Sequence, residues 1–597
     1  MAKKPRTWAA PACDKIAHGD TKAVEDLKAF LLHFQYLPQE AKPGLEDVPS
    51  ALKEFQRVAH IPQTGEYDAA TATQLAKPRC GIPDKPGFEN FAVAATRWDK
   101  FNLTYRFDTF SEELSADQVR SIISAAFAKW AAVSPFTFTE VAQGDADIRI
   151  GWYRNKHLGD GAFFDGPGRV LAHAFFPPPN GGGFAGDVHF DEDETWTAAL
   201  LENTALHEIG HSLGLRHSVI PEAVMYEFAN GVTQLTDDDV AGIQSIYGPF
   251  RPVYKQGDPG HGIGGYDLRS PEDRVFAFDY GHSGKLDHLC FYRPGTGTFW
   301  IIRNNHNGSF TPVYNQGDPG AGIGGYDLKS RADRAFAFDY DHNGKQDHIC
   351  LYRPGTGTFW ILRNRSGVFE PVYAQGDPGS GIGGFDLKSP ADQAFAFDYD
   401  HTGKLDHVAL YRPGTGTFWI LRNRSGVFEA VYAQGAPGNG IGGFDLRSPA
   451  DRAFAFDYTR SGRKDHVCLY RPGTGTFWIL QNGAGVFNAV YAQGDPGHGI
   501  GGYDLKAPID QAFAYDSDKL VLYRPGKGAV FVLRNNGGSF EKVYAQGDQA
   551  DQGRGIGGFD LRSGADRAVD FDFESKGRTD HLVFVRPGTG TIWILKK

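Results

Sequence analysis

Apolar positions recur every three to four residues in the first quarter of the chain, and alternate with polar ones over most of the rest. In "AVEDLKAFLLHFQYL" the pattern puts Leu27, Phe30, Leu31 and Phe34 on one helical face, and "PSALKEFQRVAH" does the same with Leu52, Phe55 and Val58. Gly65 supplies a turn in "PQTGEYD", after which Asp68 is placed to cap a third short helix reaching Leu75. Residues 20–84 therefore predict a small all-α bundle behind a tail, residues 1–19. From Arg97 the character changes. "NLTYRF" and "ADIRIGWY" alternate as strands do, and between them "ADQVRSIISAAFAKW" aligns Val119, Ile122, Ile123, Ala126, Phe127 and Trp130 on one face. Strand, helix, strand is the order of a mixed α/β domain. A second helical segment follows "DEDETW", and a third, "TDDDVAGIQSIYG", closes at Gly248 with Pro249 as a stop. The α/β domain is set at 96–248, and 85–95 is read as a linker.

From Phe250 onward a repeat takes over. "GIGGYDL" or "GIGGFDL" begins at Gly262, Gly322, Gly381, Gly440, Gly499 and Gly555, a period of about 59 residues. Each unit offers four strands, as in "RAFAFDYD", "DHICLYRPGTG", "TFWILRN" and "FEPVYAQG". Copies of the first strand begin near 275, 335, 394, 453, 512 and 568, and copies of the fourth near 250, 310, 369, 428, 487 and 540. The chain enters on a fourth strand and leaves on a third. That offset lets the first strand complete the last blade and remove both free edges. Residues 250–597 thus predict an all-β six-bladed propeller, and the whole chain a multidomain protein.

Composition narrows the function. The 597 residues exceed what one core supports, roughly 250–300 residues. A net charge of −11, from 61 basic and 72 acidic side chains, argues against nucleic acid or an anionic membrane as main partner. No apolar run is long enough to span a membrane, and the basic N-terminus lacks the apolar segment of a signal peptide. Of five cysteines, Cys290, Cys350 and Cys468 occupy one equivalent place in the repeat, where a fourth copy has Ala409, so they read as small buried apolar residues. Cys13 and Cys80 remain without an evident partner.

The sharpest chemical signal is "HEIGHSLGLRH", His207 to His217. Residues four apart share a helical face, so His207 and His211 aim at one ion, and Gly214 turns the chain to bring His217 in as third ligand. Three neutral histidines leave a fourth position open, as catalytic rather than structural zinc sites do. Glu208 sits beside them as general base for a water. Apart from the initiator, the only methionine is Met225, eight residues past His217.

These motifs, together with "PRCGIPD" at Pro78 to Asp84, identify a resemblance to the matrix metalloproteinases, a metzincin family. The bundle pattern resembles the peptidoglycan-binding-like prodomain of that family, and the repeats resemble FG-GAP and VCBS propeller units. The resemblance implies an α/β metzincin catalytic domain with peptide bonds of proteins as substrate, and Met225 as the methionine turn beneath the zinc. It implies a latent form in which Cys80 fills the open zinc position, with Arg79 and Asp84 bracing the loop. In "HLGDGAFFDGPGRVLAHAFFPPPNGGGFAGDVHFDEDE" it implies a structural zinc on His157, Asp160, His173 and His189, although His157 to Asp160 is one residue longer than the family's H-x-D. It also implies calcium on Asp165, Asp191 and Glu194 with the carbonyls of Gly166, Gly168 and Val170, and a second calcium at Asp147 and Asp187. After Met225 the family's proline and further tyrosine are replaced by Glu227 and Phe228, so pocket preference does not carry over. The domain set points outside the cell, in the extracellular matrix.

In the propeller, Asp339, Asp341, Asn343 and Asp347, and likewise Asp398, Asp400 and Asp406, space oxygens as calcium loops do; the competing reading is a tight hairpin needing no ion. Trp300, Trp360, Trp419, Trp478 and Trp593 offer faces for sugars, or serve as blade core. A glycan-binding propeller with a subordinate protease domain is therefore the alternative to a peptidase that its propeller targets to glycan or matrix. A literal peptidoglycan binder is disfavoured because the bundle runs straight into "PRCGIPD".

Overall fold

The computed structural model describes Ile16 and residues 20–38, 46–84, 96–162, 164–180, 182–435, 437–516, 518–547 and 553–597. Cys13 and the linker 85–95 lie outside the described residues. The chain divides into two compact units, Met1–Arg251 and Pro252–Lys597.

The first unit opens with helices α1 (Thr21–His33), α2 (Val48–Val58) and α3 (Ala69–Leu75). Asp20 caps α1 by accepting from the Lys22 and Ala23 amides, and Asp68 caps α3 at the Thr71 amide, as its place in the sequence suggested. Leu27, Phe30, Leu31, Phe34, Leu52, Phe55 and Val58 form one apolar core, joined there by Tyr226 and Phe228 of the following domain. Roughly 25 cal/mol per Å² of apolar surface removed from water holds this bundle against its neighbour.

That neighbour is a six-stranded sheet with helices against it. Its strands are β1 (Arg79–Cys80), β2 (Asn102–Phe107), β3 (Thr137–Glu140), β4 (Ile148–Tyr153), β5 (Val170–Ala174) and β6 (Val188–Asp191), in the order β1-β5-β6-β4-β2-β3. β5 runs antiparallel to β6, and β1 lies parallel beside β5, so the end of the bundle segment forms the sheet's edge. Helix α4 (Ala116–Val133) starts in a Ser115–Gln118 capping box and buries Val119, Ile123, Ala126, Phe127 and Trp130, while Ile122 packs at the rim of the core. Helix α5 (Ala198–Ser212) is buried from Asn203 to Ser212 on every side. Such enclosure keeps its side chains in fixed rotamers, which suits a site. Helix α6 (Asp237–Tyr247) ends at Gly248, whose φ of 82° carries the chain out of the helix.

The second unit holds six four-stranded sheets. Their inner strands are Arg274–Phe278, Arg334–Phe338, Gln393–Phe397, Arg452–Phe456, Gln511–Tyr515 and Arg567–Phe571, each neighbouring the next, with the last meeting the first. β7 (Arg251–Lys255) is the outer strand of the last sheet, beside Thr591–Lys596. The ring is closed by chain ends, as the offset of the repeat predicts. Thr591 Oγ1 donates to the Gly257 carbonyl at 2.9 Å and Trp593 Nε1 to that of Gln256 at 2.8 Å, while Arg586 pairs with Asp258.

Each sheet repeats one clamp. Arg293, Arg353, Arg412, Arg471, Arg524 and Arg586 each hold a fully buried aspartate (Asp273, Asp333, Asp392, Asp451, Asp510 and Asp566) through two hydrogen bonds. Cys290, Cys350 and Cys468 are fully buried between sheets, as small apolar fillers.

Candidate metal centre and its latch

Helix α5 carries His207, Glu208 and His211 on buried turns. Nδ1 of His207 faces the Val224 carbonyl at 2.7 Å, and Nδ1 of His211 faces that of Leu215 at 2.7 Å. Each carbonyl accepts the Nδ1 proton and fixes the tautomer, leaving Nε2 as the basic nitrogen. The two Nε2 atoms then meet at 3.0 Å, lone pair to lone pair, an arrangement that a shared cation relieves. Gly214 takes a φ of 104°, with no side chain to oppose it, and the turn brings in His217. Burial lowers the basicity of all three imidazoles, that of His207 to about 3, so neutral ligand forms are present at pH 7.

The fourth group is Cys80. A ligand atom from each of Cys80, His207, His211 and His217 lies within 4.8 Å of the others. Three imidazoles and a thiol are a donor set suited to tetrahedral zinc. Strand pairing holds the thiol there: Arg79 N donates to Arg169 O, Gly81 N to Ala172 O, and Cys80 N to Glu227 O. Glu208 is fully buried, its carboxylate facing the Cys80 thiol. Without a cation, burial pushes that carboxyl up to about 8 and the Cys80 thiol well above its ordinary value; a nearby dication reverses both.

The salt bridge beside Cys80 is fully buried. Arg79 Nη2 donates to both oxygens of Asp84 at 2.6 Å, and Tyr36 Oη donates to Oδ2 at 2.7 Å. The guanidinium lies 3.6 Å from the Phe34 ring centroid and 4.9 Å from that of Phe228. Asp84 Oδ1 also lies 2.8 Å from His217 Nδ1, within reach of that nitrogen's proton. Burial alone would raise the Asp84 carboxyl, but Arg79 and His217 outweigh it and hold it at about 2.

A second group converges as tightly: His157, Asp160, His173 and His189. Asp160 Oδ2 lies 3.0 Å from His157 Nε2, 3.1 Å from His189 Nδ1 and 3.5 Å from His173 Nε2. The residue by which this spacing exceeds the family's is absorbed in a turn, with Leu158 at φ 50° and Gly159 at φ 74°, which returns the chain so that both ends face inward. Burial brings His173 down to about 4, while the imidazoles outweigh burial and hold Asp160 well below the usual carboxylate range.

With both groups in place, comparison with known proteins is decisive for one stretch: the matrixin family pattern matches residues 97–248. Residues 97–248 form a matrixin domain. The chain is 42% identical over 265 residues to interstitial collagenase of Sus scrofa, covering 41% of this chain and 55% of that protein. It is 42% identical over 251 residues to neutrophil collagenase of Homo sapiens (39% and 52% covered), and 39% identical over 246 residues to stromelysin-1 of Mus musculus (39% and 50%). The chain spans about half the length of these curated relatives.

Below the histidine helix of the matrixin domain, a Cβ on Gly210 would come within 2.3 Å of Met225 Sδ, so methionine and glycine are fitted to each other. Asp239, which the sequence reading missed, holds that turn: its carboxylate accepts from the Val224 and Met225 amides at 3.0 Å and from Thr236. The only sequence signal was its place three residues after Thr236, a helix-capping spacing. Tyr36 and the Asp84 contact to His217 were likewise unseen.

Asp165, Asp191 and Glu194 are not in either converging group, but burial raises each carboxyl to about 7, and one oxygen of Asp165 and one of Asp191 lack partners. Gly166 and Gly168 take φ of 81° and 91° in the same loop, and the Gly168 amide donates to Glu194. Asp147 pairs with Lys100 and Thr104; Asp187 accepts from the Arg149 amide, keeps one oxygen without a partner, and burial raises its carboxyl to about 7.

In the propeller loops read as calcium candidates, the same oxygens hold protein partners. Asp339 accepts from the Asn343 and Gly344 amides, and Asp398 from those of Thr402 and Gly403. Asp341 and Asp400 pair with Arg363 and Arg422, while Asp347 and Asp406 bond His282 and His342 of the preceding repeat. Asn343 Oδ1 accepts from Lys345 N. The oxygens that matched a calcium loop are used by the hairpin and by blade-to-blade contacts. Trp300, Trp360, Trp419, Trp478 and Trp593 are half-buried, each donating Nε1 to a glutamine carbonyl.

Proposed function

We propose that the chain is a zinc-dependent metalloendopeptidase of matrix metalloproteinase type, made latent by Cys80. The observation that carries this reading is the convergence of Cys80 with His207, His211 and His217 above a fully buried Glu208. Zinc on the three histidines supplies Lewis acidity to the peptide carbonyl and acidifies a water. Glu208 takes the proton of the attacking water and returns it to the leaving nitrogen. The strand edge at β5, paired here with β1, is a template for an extended peptide backbone, so the latch covers both the metal position and the substrate's place.

His157, Asp160, His173 and His189 hold a second, structural zinc; Asp165, Asp191 and Glu194 with the Gly166, Gly168 and Val170 carbonyls hold calcium. The substrates are proteins, the place of action is extracellular, and the propeller directs the peptidase to glycan or matrix. The test is peptide cleavage before and after limited proteolysis. Activity lost on chelation and in Glu208→Ala, with zinc retained in that variant, is expected; activity that survives Glu208→Ala overturns the reading.

A further inference from the structure

Every inner strand of the propeller begins with a residue at the same mouth of the central channel: Arg274, Arg334, Gln393, Arg452, Gln511 and Arg567. They line a cavity of about 640 Å³. Four are guanidinium donors and two are glutamine amides whose Nε2 donates to the Ala391 and Ile509 carbonyls, with no carboxylate at any of the six places. The aspartate preceding each of them is already bound by a clamp arginine, so it does not neutralise the ring. Among the described residues, none of the four arginines forms an ion pair. Nε of Arg274 and Nε of Arg567 are covered without a hydrogen-bond partner, and Arg274 feels Arg334 and Arg567 as repelling neighbours, with Glu272 the acidic group in range. Arg334 and Arg452 are tied by one nitrogen to the Ala332 and Ala450 carbonyls, which fixes the guanidinium and leaves further N–H groups over. Tyr292 and Tyr523 add phenols whose oxygens accept from the Ala335 and Ala568 amides, leaving each O–H proton to be donated.

Deeper in the channel the lining changes. Phe276, Phe336, Phe395, Phe454, Phe513 and Val569, two residues further along the same strands, line a second cavity of about 280 Å³. That lining also holds Lys464 and Asp570, which lie 3.6 Å apart and offset each other, so a largely apolar floor beneath the cations lowers the local dielectric and focuses their field on the mouth. Four like charges brought together with little to balance them oppose the fold unless something completes the site. We infer that this mouth is a binding site for a sulfate- or phosphate-type oxyanion, free or as the terminal group of a larger ligand, held by Arg274, Arg334, Arg452 and Arg567. Guanidinium forks match such oxygens two at a time. The inference is independent of the peptidase reading.

Titration calorimetry on the full-length protein tests it, with inorganic sulfate, a trisulfated disaccharide and the same disaccharide desulfated as probes. Glutamine already stands at this place in two repeats, so Arg274→Gln with Arg567→Gln, and all four arginines replaced by glutamine, are variants the fold accepts; a thermal melt checks that. Binding of sulfate, of the sulfated disaccharide or of both is expected, weakening with salt, at least tenfold weaker in the double variant and lost in the quadruple one. Sulfate alone identifies a free ion as the ligand, the disaccharide alone a terminal group. Absence of binding by both sulfated probes at millimolar concentration, equal binding of the desulfated sugar, or binding unchanged in the folded quadruple variant overturns the inference.

Discussion

Arg79→Ala isolates the brace from the thiol. In the latched protein Arg79 is 1% exposed and Asp84 is 4% exposed, joined by two bonds of 2.6 Å. Removing the guanidinium leaves a buried carboxylate that retains Tyr36 and the neighbouring His217. Breaking a buried pair from one side costs about 3–5 kcal/mol, whereas water solvates Asp84 once the segment has left the sheet. The cost therefore falls on the latched state alone. At about 1.4 kcal/mol per decade, the open fraction rises roughly 100- to 3000-fold. Hydrolysis of a fluorogenic peptide by the uncleaved chain, verified by intact mass, reads that fraction directly. A folded Arg79→Ala protein with the basal rate of wild type would refute the argument that the buried pair holds the latch.

Other expectations follow from the same geometry. If Cys80 forms the latch, it depends on an ionised Asp84: the carboxyl is held at about 2 against roughly 3.9 in the unfolded chain, so this stabilisation is full above about pH 5 and is lost progressively as pH falls through 2, measurable as latch opening by reaction of Cys80 with a dipyridyl disulfide, which works in acid. Leu158, 48% exposed at φ 50°, carries left-handed strain of about 1 kcal/mol, so Leu158→Asn raises the melting midpoint of its domain by about 2–4 °C; a decrease contradicts the turn argument. Elemental analysis of intact protein finds two zinc ions per chain, and His173→Ala, deleting a ligand of the second group, retains one. Arg586→Ala leaves Asp566 buried and unpaired and frees Asp258, costing the propeller about 3–5 kcal/mol in denaturant unfolding; a loss below 1 kcal/mol means the ring is not closed there.

Much of this was legible because local spacing encodes it. His207, Glu208, His211, Gly214 and His217 are related by helix periodicity and one turn, and the six-fold repeat by direct self-similarity. Contacts between distant segments were not legible. Phe228 and Glu227 read as departures from a family pattern, yet Phe228 enters the bundle core and the Glu227 carbonyl receives the Cys80 amide. The calcium-like spacing in the propeller left two readings open because an Asp that ligates an ion and an Asp that caps a hairpin occupy the same sequence positions; only the third dimension shows which amides Asp339 has accepted. The arginine ring stood in plain sight in "DRVFAF", "DRAFAF" and "DQAFAF", but exposure at the channel mouth is a property of ring closure.

The central claim is that one thiol silences a metal centre that is otherwise complete. Its most direct test is the rate at which uncleaved Cys80→Ser hydrolyses a peptide library, with Cys80→Ser/Glu208→Ala as control. The account predicts activity without trimming, abolished by a chelator and absent in the control; a zinc-loaded, folded Cys80→Ser protein that stays as silent as wild type contradicts it.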